Sequence, residues 1–180
     1  MASTETHFTP PLPDLPGNQR VLIVRAPYYL DVADKLRAGA EAALAGAGVA
    51  SECLDVPGAL EIPSAIALAA NGGGFDGYVA LGCIIRGETT HYDTVCNDSS
   101  RGLMLLGLQG LCIGNGILTV ENTDQAEARA NPDKQNKGAG AALAALHLIA
   151  ARHRFAPGAD ATPGRSFQAQ SEHITIAGGD

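Results

Sequence analysis

Short apolar runs alternate with stretches of helical periodicity along residues 19–156. The run at 21–24 (VLIV) is typical of a strand buried on both faces. Further strands are predicted over 52–56, 78–85 and 116–120. Helices are predicted over 30–44, 62–70, 98–111 and 138–154, with a short helix from a capping box at 122–125 to about residue 130. Regular alternation of strand and helix implies right-handed crossovers and a four-stranded parallel sheet flanked by helices, an α/β fold.

The two ends of the chain differ from this central region. Residues 1–18 include Pro10, Pro11, Pro13 and Pro16, which exclude a helix and predict an extended N-terminal arm. Residues 157–180 combine proline and glycine with polar side chains, and this composition predicts a flexible C-terminal tail. One globular domain is therefore expected over residues 19–156.

Composition and charge narrow the possible functions. Of 180 residues, 46% are hydrophobic but only 4% aromatic, so Ala, Val, Leu and Ile must build the core. The net charge of -7 argues against a general affinity for nucleic acid or anionic membranes, so a bound anion would need a local cationic pocket. No apolar run is long enough for a membrane span, and the first residues lack the features of a secretory signal. The four cysteines form no C-x-x-C pair, which favours reduced thiols and a cytoplasmic location.

The polar run at 86–93 (RGETTHYD) directly follows an apolar strand. Ligands of parallel sheets bind beyond the carboxyl ends of the strands, so this run lies where the fold places a site. Histidine exchanges protons near neutral pH, which makes His91 the best candidate for proton transfer. A surface loop with a chance histidine is the alternative. His7, His153 and His173 are expected to be solvated, and His147 to be a packed or interface residue.

Other candidate binding residues also follow predicted strands. Arg129 and Lys137 flank the loop 131–136 and are suited to bind a phosphate, although two solvated surface cations are the alternative. The segment 57–63 (PGALEIP) offers backbone N–H and C=O groups that can hydrogen-bond to the edge of a heterocycle. An ordinary strand-to-helix turn is the alternative. Tyr28 and Tyr29 are suited either to stack on a flat ring or to pack in the core.

Several well-known motifs are absent from the sequence. It contains no G-x-x-x-x-G-K-[ST] phosphate loop, and no G-x-G-x-x-G follows a predicted strand. It also contains neither a G-x-S-x-G nucleophile elbow nor paired cysteine and histidine residues at metal-ligand spacing.

Taken together, these segments resemble the lumazine synthase family of riboflavin biosynthesis. The resemblance is carried by 56–63 (VPGALEIP), 81–97 (LGCIIRGETTHYDTVCN) and 116–122 (GILTVEN), and is extended by Gln125-Ala126 and by 136–138 (NKG). It covers about residues 20–155 in order. It implies a flavodoxin-like three-layer sandwich, with a lumazine synthase-like catalytic domain over 19–156.

The resemblance implies a transferase that forms a pteridine ring. The family makes 6,7-dimethyl-8-ribityllumazine in the penultimate step of riboflavin biosynthesis. It condenses 5-amino-6-(D-ribitylamino)uracil with 3,4-dihydroxy-2-butanone 4-phosphate and releases phosphate and water. No metal and no organic cofactor are implied.

The resemblance also implies a role for individual residues. His91 would be the catalytic proton donor and acceptor. The residues that would bind the pyrimidine are Tyr28, Ala59, Leu60, Glu61, Cys83, Ile84, Ile85 and Asn115. The residues that would bind the butanone phosphate are Glu88, Thr89, Arg129 and Lys137. The sequence departs from the family where Tyr28 replaces a more usual Phe and where Leu60 replaces a common aromatic residue.

The family forms homopentamers with active sites at the subunit interfaces, and some members stack pentamers into decamers or an icosahedral shell. A homopentamer is expected here, with the higher assembly left open and riboflavin synthase as a possible partner. Two alternatives belong to other classes of protein. One is a non-catalytic flavin or lumazine binder, or a compartment-forming shell protein, on the same scaffold, and the other is an unrelated doubly wound nucleotide-binding oxidoreductase.

Overall fold

The computed structural model describes residues 10–156. Within this range, residues 10–18 form neither a helix nor a strand. The predicted tail over 157–180, the first part of the predicted arm, and His7 and His173 lie outside the described residues. None of the described helices combines the length and the apolar character needed to cross a membrane.

Four strands and five helices alternate in the order that the hydrophobic pattern predicts. The strands are β1 (Arg20–Arg25), β2 (Ala50–Asp55), β3 (Gly77–Ile85) and β4 (Ile113–Val120). The helices are α1 (Leu30–Gly46), α2 (Glu61–Gly72), α3 (His91–Leu108), α4 (Thr123–Ala130) and α5 (Lys137–Arg154). Thus the predicted α/β class is confirmed element by element.

The four strands form one parallel sheet in the order β2-β1-β3-β4. Successive strands are added towards one edge of the sheet from β1 to β2 and towards the other edge from β3 to β4. The order therefore reverses between β1 and β3, which is the position where sheets of this kind bind ligands. Val21 and Ile23 of β1 pack in a cluster with α1 and α5, whereas Leu22 and Val24 pack in a second cluster with α2 and α3. Because successive side chains of a strand point to opposite faces, β1 is buried on both sides in a three-layer sandwich.

The start of α3 differs from the prediction. The helix begins at His91, seven residues before the predicted start at residue 98. Tyr92, Val95 and Cys96 are half-buried against the cluster formed by α2 and α3. Their spacing continues the helical pattern of Leu103, so tertiary packing extends the helix through a polar stretch. As a result, His91 occupies the first position of a helix.

Arg25 holds the carboxyl ends of β1 and β2 together. Its side chain is buried, and its Nε and Nη2 atoms donate to the two carboxylate oxygens of Asp55 at 2.8 and 2.7 Å. Its Nη1 donates to Asp34 in α1. These bonds lower the pKa of Asp55, because Arg25 stabilises the ionised carboxylate. The network fixes the end of β1 close to the start of the Tyr28-Tyr29 segment.

Candidate active site

A cavity of about 460 Å³ lies at the carboxyl ends of β1, β2 and β3. It brings together nine of the predicted site residues, which are Tyr28, Ala59, Leu60, Glu61, Cys83, Ile84, Ile85, Thr89 and His91. We call this space the ring cavity. The remaining lining residues are Tyr29, Pro57, Gly58, Gly87, Tyr92 and Val95.

The floor of the ring cavity is apolar and uncharged. Ala59, Cys83 and Ile84 are each less than a tenth exposed. Burial raises the pKa of the Cys83 thiol from its ordinary 9.0 to about 11, because the low-polarity surroundings disfavour the thiolate. The thiol therefore stays neutral near pH 7, and the floor is suited to the face or edge of a neutral heterocycle rather than to nucleophilic attack.

Two tyrosines form the rim of the ring cavity next to β1. Tyr28 is 77% exposed, and its ring meets that of Tyr29 edge to face with the centroids 5.1 Å apart. Burial raises the pKa of Tyr29, so its hydroxyl also remains neutral. An exposed aromatic ring beside an apolar floor is a surface on which a flat ligand can stack. The edge-to-face contact with Tyr29 supports the position of the Tyr28 ring.

His91 lies at the mouth of the ring cavity. Its side chain is exposed, and its backbone N–H is 3.4 Å from the Thr89 hydroxyl oxygen. The helix start leaves backbone N–H groups without partners inside the helix, which favours a negative charge nearby. Glu88 is exposed in the preceding loop and lines neither cavity. The roles of these residues stay predictions.

A second cavity of about 390 Å³ lies along the edge strand β4. Its lining includes three predicted site residues, namely Asn115, Arg129 and Lys137. We call it the cationic cavity. It shares no lining residue with the ring cavity of the same chain. The structure therefore places His91 and Thr89 in one cavity, and Arg129 and Lys137 in another.

Helix caps fix the starts of α4 and α5, the two helices that carry Arg129 and Lys137. The Asn122 side chain accepts from the Gln125 N–H at the start of α4, and Arg129 donates from Nη1 to the Gln125 carbonyl oxygen at 3.1 Å. Asn136, at φ +45°, accepts from the Ala139 N–H and caps α5, which begins at Lys137.

Close packing of α5 on α1 fixes the same helix start. A methyl group at Gly138 would lie 2.0 Å from the Leu36 carbonyl oxygen, so only glycine allows α5 to approach α1 this closely. Lys137 immediately precedes this contact. Its backbone position is therefore set by a helix cap on one side and by packing on the other.

Arg129 and Lys137 have no carboxylate partner in residues 10–156. By contrast, most of the other arginines in this range pair with an Asp or a Glu; Arg20, Arg25 and Arg86 are examples. Two uncommitted cations in one cavity of a protein with net charge -7 form a local site for an anion. Asn115 is nearby, but its amide oxygen accepts from the Ile117 N–H at 2.9 Å.

Sequence reasoning missed Tyr92 and Val95, which line the ring cavity from α3. The signal that could have found them is the helical spacing of 92, 95, 96, 99 and 103, which the polar neighbours obscure. The four cysteines are free, as predicted, and no group of residues suited to hold a metal ion occurs in the described part of the chain.

Comparisons with known proteins identify the family. A family model described as 6,7-dimethyl-8-ribityllumazine synthase matches residues 18–153. A protein of that description from Jannaschia sp. (strain CCS1) is 55% identical over 139 residues, which cover 77% of this chain and 78% of the relative. Those from Sphingopyxis alaskensis and Erythrobacter litoralis are 54% and 52% identical, and the matches cover 77% and 76% of this chain and 98% and 97% of the relatives. The chain therefore belongs to the 6,7-dimethyl-8-ribityllumazine synthase family.

Proposed function

We propose that this protein condenses 5-amino-6-(D-ribitylamino)uracil with 3,4-dihydroxy-2-butanone 4-phosphate to form 6,7-dimethyl-8-ribityllumazine, phosphate and water. Family membership over residues 18–153 supports the reaction. One structural observation carries it further: a ring cavity with an uncharged floor and a histidine at its mouth occurs together with a separate cavity that holds two cations with no carboxylate partner in residues 10–156. The two substrates need these two environments, because one is a flat heterocycle and the other is an anion.

The pyrimidine occupies the ring cavity in this proposal. Tyr28 stacks on its face, the backbone at Ala59 and Leu60 together with Glu61 holds the ribityl chain, and residues 83–85 line the ring. The roughly 460 Å³ of this cavity is within the range of small-molecule sites. The neutral Cys83 thiol adds no charge that would have to be desolvated together with the ring.

The chemistry needs proton transfers and no protein nucleophile. The aromatic amine attacks the ketone and one water leaves to give an imine. Expulsion of phosphate then leaves an enol that becomes a ketone, and the second ring closes when the ribitylamino nitrogen adds to this ketone and a second water leaves. His91 accepts and returns protons in these steps, a role that typically contributes about 10²–10⁴-fold. Holding two substrates together supplies much of the remaining acceleration. Arg129 and Lys137 bind the phosphate, and Glu88 and Thr89 contact the same substrate.

The active site is shared between subunits in this proposal. Because His91 and Arg129 lie in separate cavities of one chain, the ring cavity of one subunit faces the cationic cavity of its neighbour in a homopentamer. Asn115 then reaches the pyrimidine from the neighbouring subunit. Exposed apolar side chains, including Leu68, Met104 and Leu108 at 74%, 65% and 78%, supply surface that an oligomer would cover. Stacking into a decamer or a shell is compatible with this arrangement.

The proposed location is the cytoplasm, with riboflavin synthase as the enzyme that takes up the product. Neither the location nor this partner is needed for the proposed site. The reaction itself uses small-molecule substrates and can be tested with the purified protein alone.

The direct test mixes pure protein with both substrates and follows lumazine absorbance and released phosphate. We expect both products to form at equal rates, well above the uncatalysed rate, and neither to form when one substrate is omitted. Absence of product above the uncatalysed rate, combined with tight binding of riboflavin, would instead identify a flavin-binding protein on this scaffold.

A further inference from the structure

Arg86 connects the loop before α3 with the loop after β4, although it lines neither cavity. Its backbone N–H donates to the Val120 carbonyl oxygen at 2.9 Å, which aligns the ends of β3 and β4. Its Nε donates to Glu121 at 2.8 Å. The guanidinium carbon lies 4.0 Å from the centre of the Tyr92 ring, and Nη1 makes a loose 3.5 Å contact with Asp93.

One side of this arrangement leads to His91. Tyr92 follows His91 directly in the first turn of α3 and itself lines the ring cavity. A guanidinium over its ring holds the ring by a cation–π contact. With Asp93 held by the same guanidinium, two successive residues of the turn that carries the imidazole are attached to the end of β3.

The other side leads to Arg129. Glu121, the partner of Arg86, donates its backbone N–H to the Gln125 side-chain oxygen at 3.1 Å. Gln125 in turn accepts from the Arg129 Nη1 through its carbonyl oxygen at 3.1 Å. A continuous series of contacts therefore joins Arg86 to the guanidinium of the cationic cavity.

The positive charge of Arg86 is already paired with carboxylates of the same chain. Two carboxylates and one aromatic ring surround the guanidinium, and hydrogen bonding from Arg86 to Glu121 raises the Arg86 pKa further. A phosphate would have to displace Glu121 to bind here. Substrate binding is thus assigned to Arg129 and Lys137, and a different role remains for Arg86.

From this placement we infer that Arg86 is a positioning residue that orients His91 and Arg129 at the same time. The inference rests on the proposed function and extends it to a residue that touches neither substrate. The side chain of Arg86 is 42% exposed and that of Glu121 is 56% exposed. Exposed ion pairs contribute little to folding, so the role of Arg86 must be visible in catalysis and not in stability.

The test compares Arg86→Met with Arg101→Met in the full-length enzyme. Arg101 is a matched control, because it lies in α3, pairs with Asp98 at 2.8 Å and lines neither cavity. We expect Arg86→Met to lower kcat about tenfold and to raise KM for the butanone phosphate about threefold, since small displacements of catalytic groups are costly. KM for the pyrimidine and the thermal unfolding midpoint should change little, and Arg101→Met should leave all four quantities unchanged.

Double variants separate positioning from an independent effect. If Arg86 acts through His91, adding Arg86→Met to His91→Ala should lower kcat no further than His91→Ala alone. Likewise, adding it to Arg129→Ala should not raise KM for the butanone phosphate any further. Wild-type kinetics of Arg86→Met, or losses that multiply fully in both double variants, would overturn the inference while the proposed function stands. An inactive wild-type protein would instead overturn the proposed function itself.

Discussion

The ring cavity is formed by the ends of three strands and by buried apolar side chains, whereas the cationic cavity lies along a sheet edge and depends on helix caps. The first offers shape and a neutral floor. The second offers two charges that no carboxylate of the described chain neutralises. This difference indicates a division of labour, in which one cavity holds the ring and carries out proton transfer and the other provides affinity for an anion.

Among the single substitutions that test this division, replacing His91 by alanine should reduce activity the most. We expect kcat to fall by about 10²–10⁴, because a positioned proton-transfer group is lost. Affinity for the pyrimidine should stay nearly intact, since the floor of the ring cavity is unchanged. Steady-state kinetics and titration with the pyrimidine alone measure the two quantities.

The control for this variant is His153→Ala, since His153 lies near the end of α5 and lines neither cavity. Its turnover should equal that of the wild type. Unchanged turnover of His91→Ala would remove this histidine from the mechanism.

Arg129→Ala should give the next largest effect, and in a different kinetic parameter. Loss of a charged hydrogen bond worth about 1.5–3 kcal/mol predicts a rise of about 10- to 150-fold in KM for the butanone phosphate. KM for the pyrimidine should change much less. Lys134→Ala is the control, because Lys134 lies in the adjacent loop but lines neither cavity. Equal increases of KM for both substrates in Arg129→Ala would contradict the assignment of the phosphate.

The smallest predicted effect concerns the neutral floor of the ring cavity. Burial raises the folded-state pKa of Cys83 above its ordinary value, so the stability that depends on the neutral thiol is complete below pH 9 and is lost as the pH rises towards 11. At pH 10 the loss should be about 1 kcal/mol.

Urea unfolding at pH 7 and pH 10, at one fixed protein concentration, measures this loss. The Cys83→Ala variant should lose about 1 kcal/mol less than the wild type between the two pH values. The constant cost of removing the side chain cancels in this difference. Identical pH dependence in both proteins would show that the floor does not hold the thiol neutral.

Much of the ring cavity could be predicted from the sequence, because its residues follow strands that are easy to recognise. Residues 57–61 follow β2, and Cys83 to Ile85 end β3, so parallel topology alone brings them to one edge. The start of α3 was harder. Its first turns are polar, and their half-buried side chains face a cluster that only the folded chain creates.

The separation of the two cavities could not be predicted from the residue pattern itself, and only the family resemblance, which implies active sites at subunit interfaces, suggests it. The motif order suggests that His91 and Arg129 belong to one reaction, but it does not show which lie together in one chain. Asn115 illustrates the problem: the resemblance implies that it lies on the far side of the pyrimidine, and within one chain it lies in the cationic cavity with Arg129 and Lys137. Its role stays a prediction. Asn115 lies on an edge strand, and sequence periodicity does not describe which neighbouring subunit would pack against that edge. The contacts of Arg86 were missed for a related reason, since they join two loops 35 residues apart.

In the proposed function, one active site takes His91 from one subunit and Arg129 from the next. The direct measurement is the activity of mixed oligomers assembled from equal amounts of His91→Ala and Arg129→Ala subunits. Each variant alone should be nearly inactive at low butanone phosphate. With random assembly into a ring, about one quarter of the shared sites would combine an intact His91 with an intact Arg129. We expect the mixed oligomers to recover about a quarter of wild-type activity, and activity no higher than the average of the two parent variants would rule out a shared site.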